Sequence, residues 1–193
     1  MSLRKTAEEL DQKYHDRKVV LVDEQDRELG VAGLIEAHRD PGIRHRAFSL
    51  QLYRVRGGKT ELLLQQRTAG KPVFPYLWAN TCCYNMAPGE KYIERAVTRT
   101  GEEMGVVIDK STLRELYKFS YYAPDLEGWC ENELDTVIVG EWDGQVKLNP
   151  EEAMGFRWVE WGELNKEIKQ DSDKFAPWFR IIVKDNRFSQ VFE

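Results

Sequence analysis

Cysteine and histidine are scarce in this 193-residue chain, with three of each. Cys82, Cys83 and Cys130 are odd in number and spaced to make no disulfide framework, so a small oxidised scaffold is excluded and a reduced cytoplasmic setting fits. No apolar run approaches the roughly 18 to 20 residues needed to cross a bilayer, and the charged stretch Met1 to Arg17 is not a secretory signal, so no membrane partner is expected. No block of like charge reads as an interaction tail. The net charge is −5 with dispersed basic residues, which argues against nucleic acid as a partner. Repeats, low-complexity segments and linkers are lacking too. With 41% hydrophobic residues the chain can bury a core. The expected organisation is an extension over residues 1–17, either a short helix packed on the domain or disorder, followed by one catalytic domain over 18–193. The sequence leaves monomer or homodimer open.

What is present reads as an α/β (α+β) domain. Lys18 to Asp23 is a short strand and Glu24 to Glu28 a polar turn. Leu34 to Arg46 is expected to be irregular, carrying Pro41-Gly42 and two of the histidines. Ala47 to Val55 alternates as a strand, and Arg56-Gly-Gly-Lys59 turns it into a hairpin partner, Thr60 to Arg67. The prolines of Lys71 to Tyr76 make a loop, and Trp78 to Cys83 a short strand. Glu90 to Met104 is the clearest helix, with Ile93, Ala96, Val97 and Thr100 on one face and Gly105 as its stop. Leu113 to Tyr122, Trp129 to Trp142 and Phe156 to Val159 read as strands, Trp161 to Lys169 and Pro177 to Lys184 as short helices.

Several residues carry chemistry on this frame. Glu102 and Glu103 stand in the last turn of the main helix, where two carboxylates oppose the macrodipole unless a cation compensates. A solvated acidic turn is the plain alternative. Glu131 and Glu133 flank Asn132 at the head of a strand, so both point to one face and repel unless a cation sits between them. A surface-facing strand explains that pair as simply. His38 and His45 add imidazole, and imidazole with carboxylate suits zinc, manganese or iron. Adjacent Cys82 and Cys83 face opposite sides of a strand, so one can be inert core while the other faces a site. Trp178 reads as core by composition, although an indole face stabilises a nearby cation.

The run Trp78-Ala-Asn-Thr-Cys-Cys83, the Glu103 helix, Tyr121, Glu131-Asn-Glu133 and Trp178 resemble type I isopentenyl-diphosphate isomerases, a family of the Nudix superfamily, over roughly residues 18 to 182. The resemblance implies a Nudix fold, a mixed β-sheet sandwiched between helices. It implies two ions: a divalent transition metal (Mn2+ or Zn2+) on His38, His45, Glu131 and Glu133, and Mg2+ held by the substrate diphosphate and Glu103. The family's third metal-binding histidine falls on Asn85, a neutral and poorer ligand, so weaker binding or a harder ion is expected. Phosphate-gripping residues fall on Arg67, Lys71 and Arg99, and a further expected lysine falls on Leu34. The implied reaction protonates one end of an allylic system and deprotonates the other, with Cys83 and Glu133 as the acid/base pair. Tyr121 polarises the protonating carboxyl, and Trp178 stabilises the cation in a water-free pocket.

A Nudix hydrolase cleaving a diphosphate is the competing reading. Glu102-Glu-Met-Gly105 matches the end of the hydrolase pattern, but Thr98-Arg99-Thr100 and Tyr84 replace residues it requires, and with them carboxylates that gather magnesium. A non-catalytic binding protein on the same scaffold is the third.

Overall fold

In the computed structural model, which describes residues 5–192, the order is α1 (Ala7–Tyr14), β1 (Lys18–Val22), β2 (Glu28–Gly33), α2 (Leu34–Ala37), β3 (His45–Arg56) and β4 (Lys59–Arg67). There follow β5 (Trp78–Ala79), β6 (Cys82–Asn85), α3 (Tyr92–Met104), β7 (Leu113–Pro124), β8 (Cys130–Glu141), β9 (Ala153–Glu160), α4 (Trp161–Gln170), α5 (Pro177–Lys184) and α6 (Asn186–Ser189).

Strand β3 organises the sheet. Along one edge it pairs antiparallel, first with β6 (Ala47 opposite Asn85, Leu50 opposite Cys82) and then with β4 (Tyr53 opposite Leu62). Along the other it runs parallel to β8, from His45 opposite Glu133 to Tyr53 opposite Glu141. β7 lies outside β8 and β9 outside β4. Period-two alternation decides which side chain meets which layer. Phe48, Leu50 and Leu52 join Leu63, Cys82 and Ile138 beneath Ala96 and Met104 of α3. Leu62, Leu64, Val137, Val139 and Val159 meet α4, α5 and α6 on the opposite face. Each fully buried Leu or Phe contributes about 1.5–3 kcal/mol. The sheet is mixed and lies between helices, as expected.

Helix α3 ends where its apolar stripe ends. Gly105 takes φ +61° and returns its N–H to the Gly101 carbonyl at 3.0 Å, and a Cβ there would strike the Lys147 carbonyl. At the N-terminus, α1 buries Leu10 in the larger core cluster.

Two expectations need correction. Leu34 to Arg46 is not irregular throughout: it opens with α2, and His45 begins β3. Strand β2 and helix α2 are too short, and β2 too exposed, to leave a periodic signal. The segment Trp78 to Cys83 is two strands, because Asn80 and Thr81 leave the ladder. Thr81 Oγ1 donates to the Leu63 carbonyl at 2.7 Å and accepts from Leu52 N at 2.9 Å, while Asn80 Nδ2 donates to the Leu50 and Cys82 carbonyls at 3.1 and 2.9 Å. β5 therefore pairs with β4 and β6 with β3.

Candidate active site

A cleft of about 60 Å³ opens on the α5 side of β3 and gathers in its lining every candidate residue from the sequence except His45 and Glu102. His45 lies directly behind His38, ring centroids 4.7 Å apart.

The cluster at one end is built by register. His45 stands opposite Glu133 on neighbouring strands, Glu131 shares that face two residues earlier, and α2 delivers His38. Ligand atoms of all four lie within 4.8 Å of one another, and all four residues are buried. The surface-strand explanation of the glutamate pair does not hold. His38 Nδ1 lies 2.7 Å from the Leu34 carbonyl and His45 Nδ1 2.8 Å from the Ile43 carbonyl. A carbonyl only accepts, so each neutral ring carries its proton on Nδ1 and turns the Nε2 lone pair inward. His38 Nε2 then meets Glu131 Oε2 at 3.1 Å, two acceptors face to face unless the carboxyl itself carries a proton, and that oxygen has no other hydrogen-bond partner. Lone pair facing lone pair in a buried site is a cradle for a cation, so the donor set fits a divalent ion bound by nitrogen and oxygen. Burial pushes the Glu131 carboxyl well up, and the neighbouring Glu133 charge pushes it further. Burial lowers His38 and keeps it neutral.

Asn85 enters this cluster as a donor. Its Nδ2 lies 2.6 Å from Glu133 Oε1 and 3.1 Å from His45 Nε2, so the amide proton side, rather than the carbonyl oxygen, faces the two groups.

At the other end the charges are paired. Glu103, buried on α3, accepts from Lys71 Nζ and Gln65 Nε2 at 2.7 Å each and forms an ion pair with Arg99 at 2.7 Å. Glu152, from the loop before β9, meets the same Lys71 at 2.9 Å and Arg99 at 2.5 Å. Burial opposes ionisation of both carboxyls, but the two cations prevail: Glu103 lies below its ordinary range and Glu152 falls to about 2. Glu102 is exposed beside Arg95 and Arg99 and takes no part in the cleft. Arg67 is buried and donates to the carbonyls of Val73 and Phe74 at 2.8 and 3.0 Å, shaping the loop that carries Lys71.

Between these ends sit the thiol and the aromatic rings. Cys83 and Glu133 lie on β6 and β8, the strands flanking β3, and their parity puts both on the cleft face. Cys82 points into the α3 core and is fully buried. Asn80 Oδ1 accepts from Cys83 Sγ at 3.1 Å and from Trp178 Nε1 at 3.0 Å. On the far side Tyr121 donates to Glu133 Oε2 at 2.7 Å, its ring 6.2 Å from that of Trp178. One indole thus spans from the thiol's partner to the carboxyl's partner. Pro177 starts α5 and sets Trp178 in its first turn. Burial, reinforced by the Asp135 charge, pushes the Cys83 thiol up to about 12.

Sequence reasoning missed Glu152, Gln65, Asn80 and the Ser49–Asp135 pair, whose Ser49 Oγ donates to Asp135 at 2.6 Å and lies 3.7 Å from Cys83 Sγ. Their role is visible only as partners in space. The one signal available was parity, which places Ser49 opposite Cys83.

A family model described as "NUDIX domain" matches residues 44–179. Among curated proteins, the chain is 41% identical over 167 residues to an isopentenyl-diphosphate Delta-isomerase of Nocardia farcinica, covering 86% of this chain and 92% of that protein. It is 39% identical over 164 residues to the Streptomyces coelicolor protein of the same name, covering 84% and 80%. Among solved structures, DR0079 from Deinococcus radiodurans superposes with a TM-score of 0.69 at 22% identity, over 87% of this chain and 98% of that one. A MutT protein from Methanosarcina mazei gives 0.58 at 16% identity, over 77% and 94%. These two likenesses concern the fold.

Proposed function

This chain belongs to the NUDIX domain family, and on that premise we propose that it is an isopentenyl-diphosphate isomerase, an enzyme that shifts a carbon–carbon double bond to give dimethylallyl diphosphate. The observation that carries the reading is the thiol and the carboxyl on strands flanking β3, joined beneath a single indole. Hydrolysis of a diphosphate is less well supported, because Arg99 and Lys71 occupy the space beside Glu103 where a hydrolase gathers further carboxylates.

The chemistry needs an acid at one end of the allylic system and a base at the other. In the forward direction Glu133 gives its proton to the terminal alkene carbon, and the C=C π pair forms the new C–H bond, leaving a tertiary cation. Cys83 takes a proton from the carbon on the other side, and that C–H pair closes the new double bond. Tyr121 and Asn85 both donate to Glu133, which favours its carboxylate form and so raises its acidity. The starting form carries the proton on the carboxyl and not on the sulfur. Burial opposes that form at Cys83, and makes the thiolate a strong base once present. Trp178 faces the cation and shields it from water, an interaction worth about 2 kcal/mol when desolvated.

His38, His45, Glu131 and Glu133 would hold a divalent transition metal, manganese or zinc, and Glu103 with Glu152 would bring magnesium to the substrate's phosphates. Bound there, such ions supply positive charge against the paired carboxylates and the diphosphate. The described residues contain no helix long and apolar enough to cross a membrane. Three free cysteines fit a reducing cytoplasm. We take residues 18–193 as the catalytic unit and 1–17 as an N-terminal extension, of which Tyr14 and Arg17 line the cleft.

The test is incubation with isopentenyl diphosphate, manganese and magnesium in heavy water. Deuterium in dimethylallyl diphosphate is the expected result, whereas phosphate release from nucleoside diphosphates without it would replace the isomerase with a hydrolase. Cys83→Ala should abolish the exchange and Cys82→Ala should leave it.

A further inference from the structure

The cleft contains four cationic side chains, Arg17, Arg67, Lys71 and Arg99, and they are not equivalent. Lys71 and Arg99 are matched by Glu103 and Glu152. Arg67 spends its donors on the loop carbonyls and lays its guanidinium 4.9 Å from the Trp178 ring. Arg17, just before β1, meets no carboxylate among the described residues. Among the described residues its one side-chain polar contact is a long 3.5 Å bond from Nη2 to the Asn85 carbonyl, and its Nε is buried with no hydrogen-bond partner. A half-buried guanidinium with a buried, unused Nε–H and no carboxylate partner at a cleft wall is a ready anion ligand.

It is also held in place. The Arg17 guanidinium carbon lies 4.5 Å from the centre of the Tyr84 ring, and the Tyr84 hydroxyl is anchored on Glu90 at 3.2 Å. The Arg17 carbonyl accepts from Leu34 N at 2.9 Å. Positions 34, 84 and 85, where the chain departs from the patterns it resembles, therefore all touch this one residue.

We propose that Arg17 is a phosphate-binding residue, gripping the diphosphate of the substrate from the β1 wall of the cleft. The inference rests on the isomerase reading for the identity of the substrate, and on the charge inventory for the need. Lys71 and Arg99 balance two glutamates in the ligand-free cleft, so Arg17 adds, to any charge that magnesium brings, a guanidinium with no carboxylate partner among the described residues to give up. It does so from the same wall as the apolar Leu34.

Steady-state kinetics with isopentenyl diphosphate, and calorimetric titration of inorganic diphosphate with magnesium, test this on the full chain. Arg17→Leu should raise KM by about tenfold or more and weaken inorganic diphosphate by the same factor. Its kcat should stay within about threefold, the pattern of a lost ground-state contact. Arg17→Lys should recover most of the affinity. Lys91→Leu, which removes an exposed charge at 77% side-chain exposure, should change neither. If Arg17→Leu does not fold, Arg17→Gln reads the same quantities. KM and diphosphate affinity within about twofold of the parent, or an equal loss from Lys91→Leu, would overturn the assignment. Should the parent chain fail to isomerise, the functional reading falls, and the titration still decides whether Arg17 binds diphosphate.

Discussion

The two ends of the cleft treat buried charge in opposite ways. Around Lys71 each carboxylate meets cations, so Glu103 and Glu152 stay ionised in the absence of any ligand. Around His38, Glu133 has Tyr121 and Asn85 as donors, but Glu131 meets an imidazole nitrogen and the other carboxylate, so burial and repulsion push its carboxyl up. The first arrangement is stable by itself and presents charge to a ligand. The second leaves Glu131 Oε2 without a protein partner and suits proton transfer or a metal. On the proposed reading, binding and chemistry are divided between two kinds of electrostatics in one cleft.

The sharpest way to break this contrast is to remove a group at each end. Glu133→Gln keeps shape but loses the transferable proton, and isomerisation should fall by about 10²–10⁴-fold with the melting temperature little changed. A variant retaining a tenth of the parent rate would take Glu133 out of the proton transfer. Lys71→Met leaves Glu103 and Glu152 to share Arg99 alone and should cost about 3–5 kcal/mol in urea unfolding, the penalty of breaking a buried ion pair. A loss under about 1 kcal/mol would place the pair among solvated surface bridges.

Asn85→His replaces an amide donor with a third imidazole. Manganese or zinc affinity, read by competition with a chromophoric chelator, should tighten by at least about tenfold. No change would mean that the metal, if bound, does not reach position 85. The mildest effect is on acid stability. The folded pKa of Glu152 is about 2 against an ordinary 4.5, so its stabilisation is complete above about pH 4.5 and lost as pH falls through 2. Urea midpoints should decline over that window, and Glu152→Gln should flatten the decline.

Much of this was legible without coordinates, for physical reasons. The α3 stripe, the β3–β4 hairpin and the long β7–β8 pair have strong periodicity or a glycine turn. Strand β2 exposes most of its residues and α2 has barely one turn, so neither prints a pattern. The break between β5 and β6 comes from two side chains bonding across the sheet, which no local propensity encodes. The residues brought together in the cleft were legible through resemblance to a known family. Their partners were not: Glu152 looks like one more acidic residue in a polar loop until the fold sets it against Lys71. Asn85 could be flagged as a departure, but whether it turns oxygen or nitrogen inward depends on Glu133 and His45 beside it.

The side chains of Asn80 and Thr81 act as a ratchet tooth for the frame in which β6 is threaded. A single inserted or deleted residue next to them would exchange the two thiols, burying sulfur 83 under α3 and offering sulfur 82 to the cleft. Length variation should therefore be forbidden at this joint and tolerated only a few residues on, in the turn at Pro88 and Gly89, and an insertion scan along 79–90 would reveal that boundary.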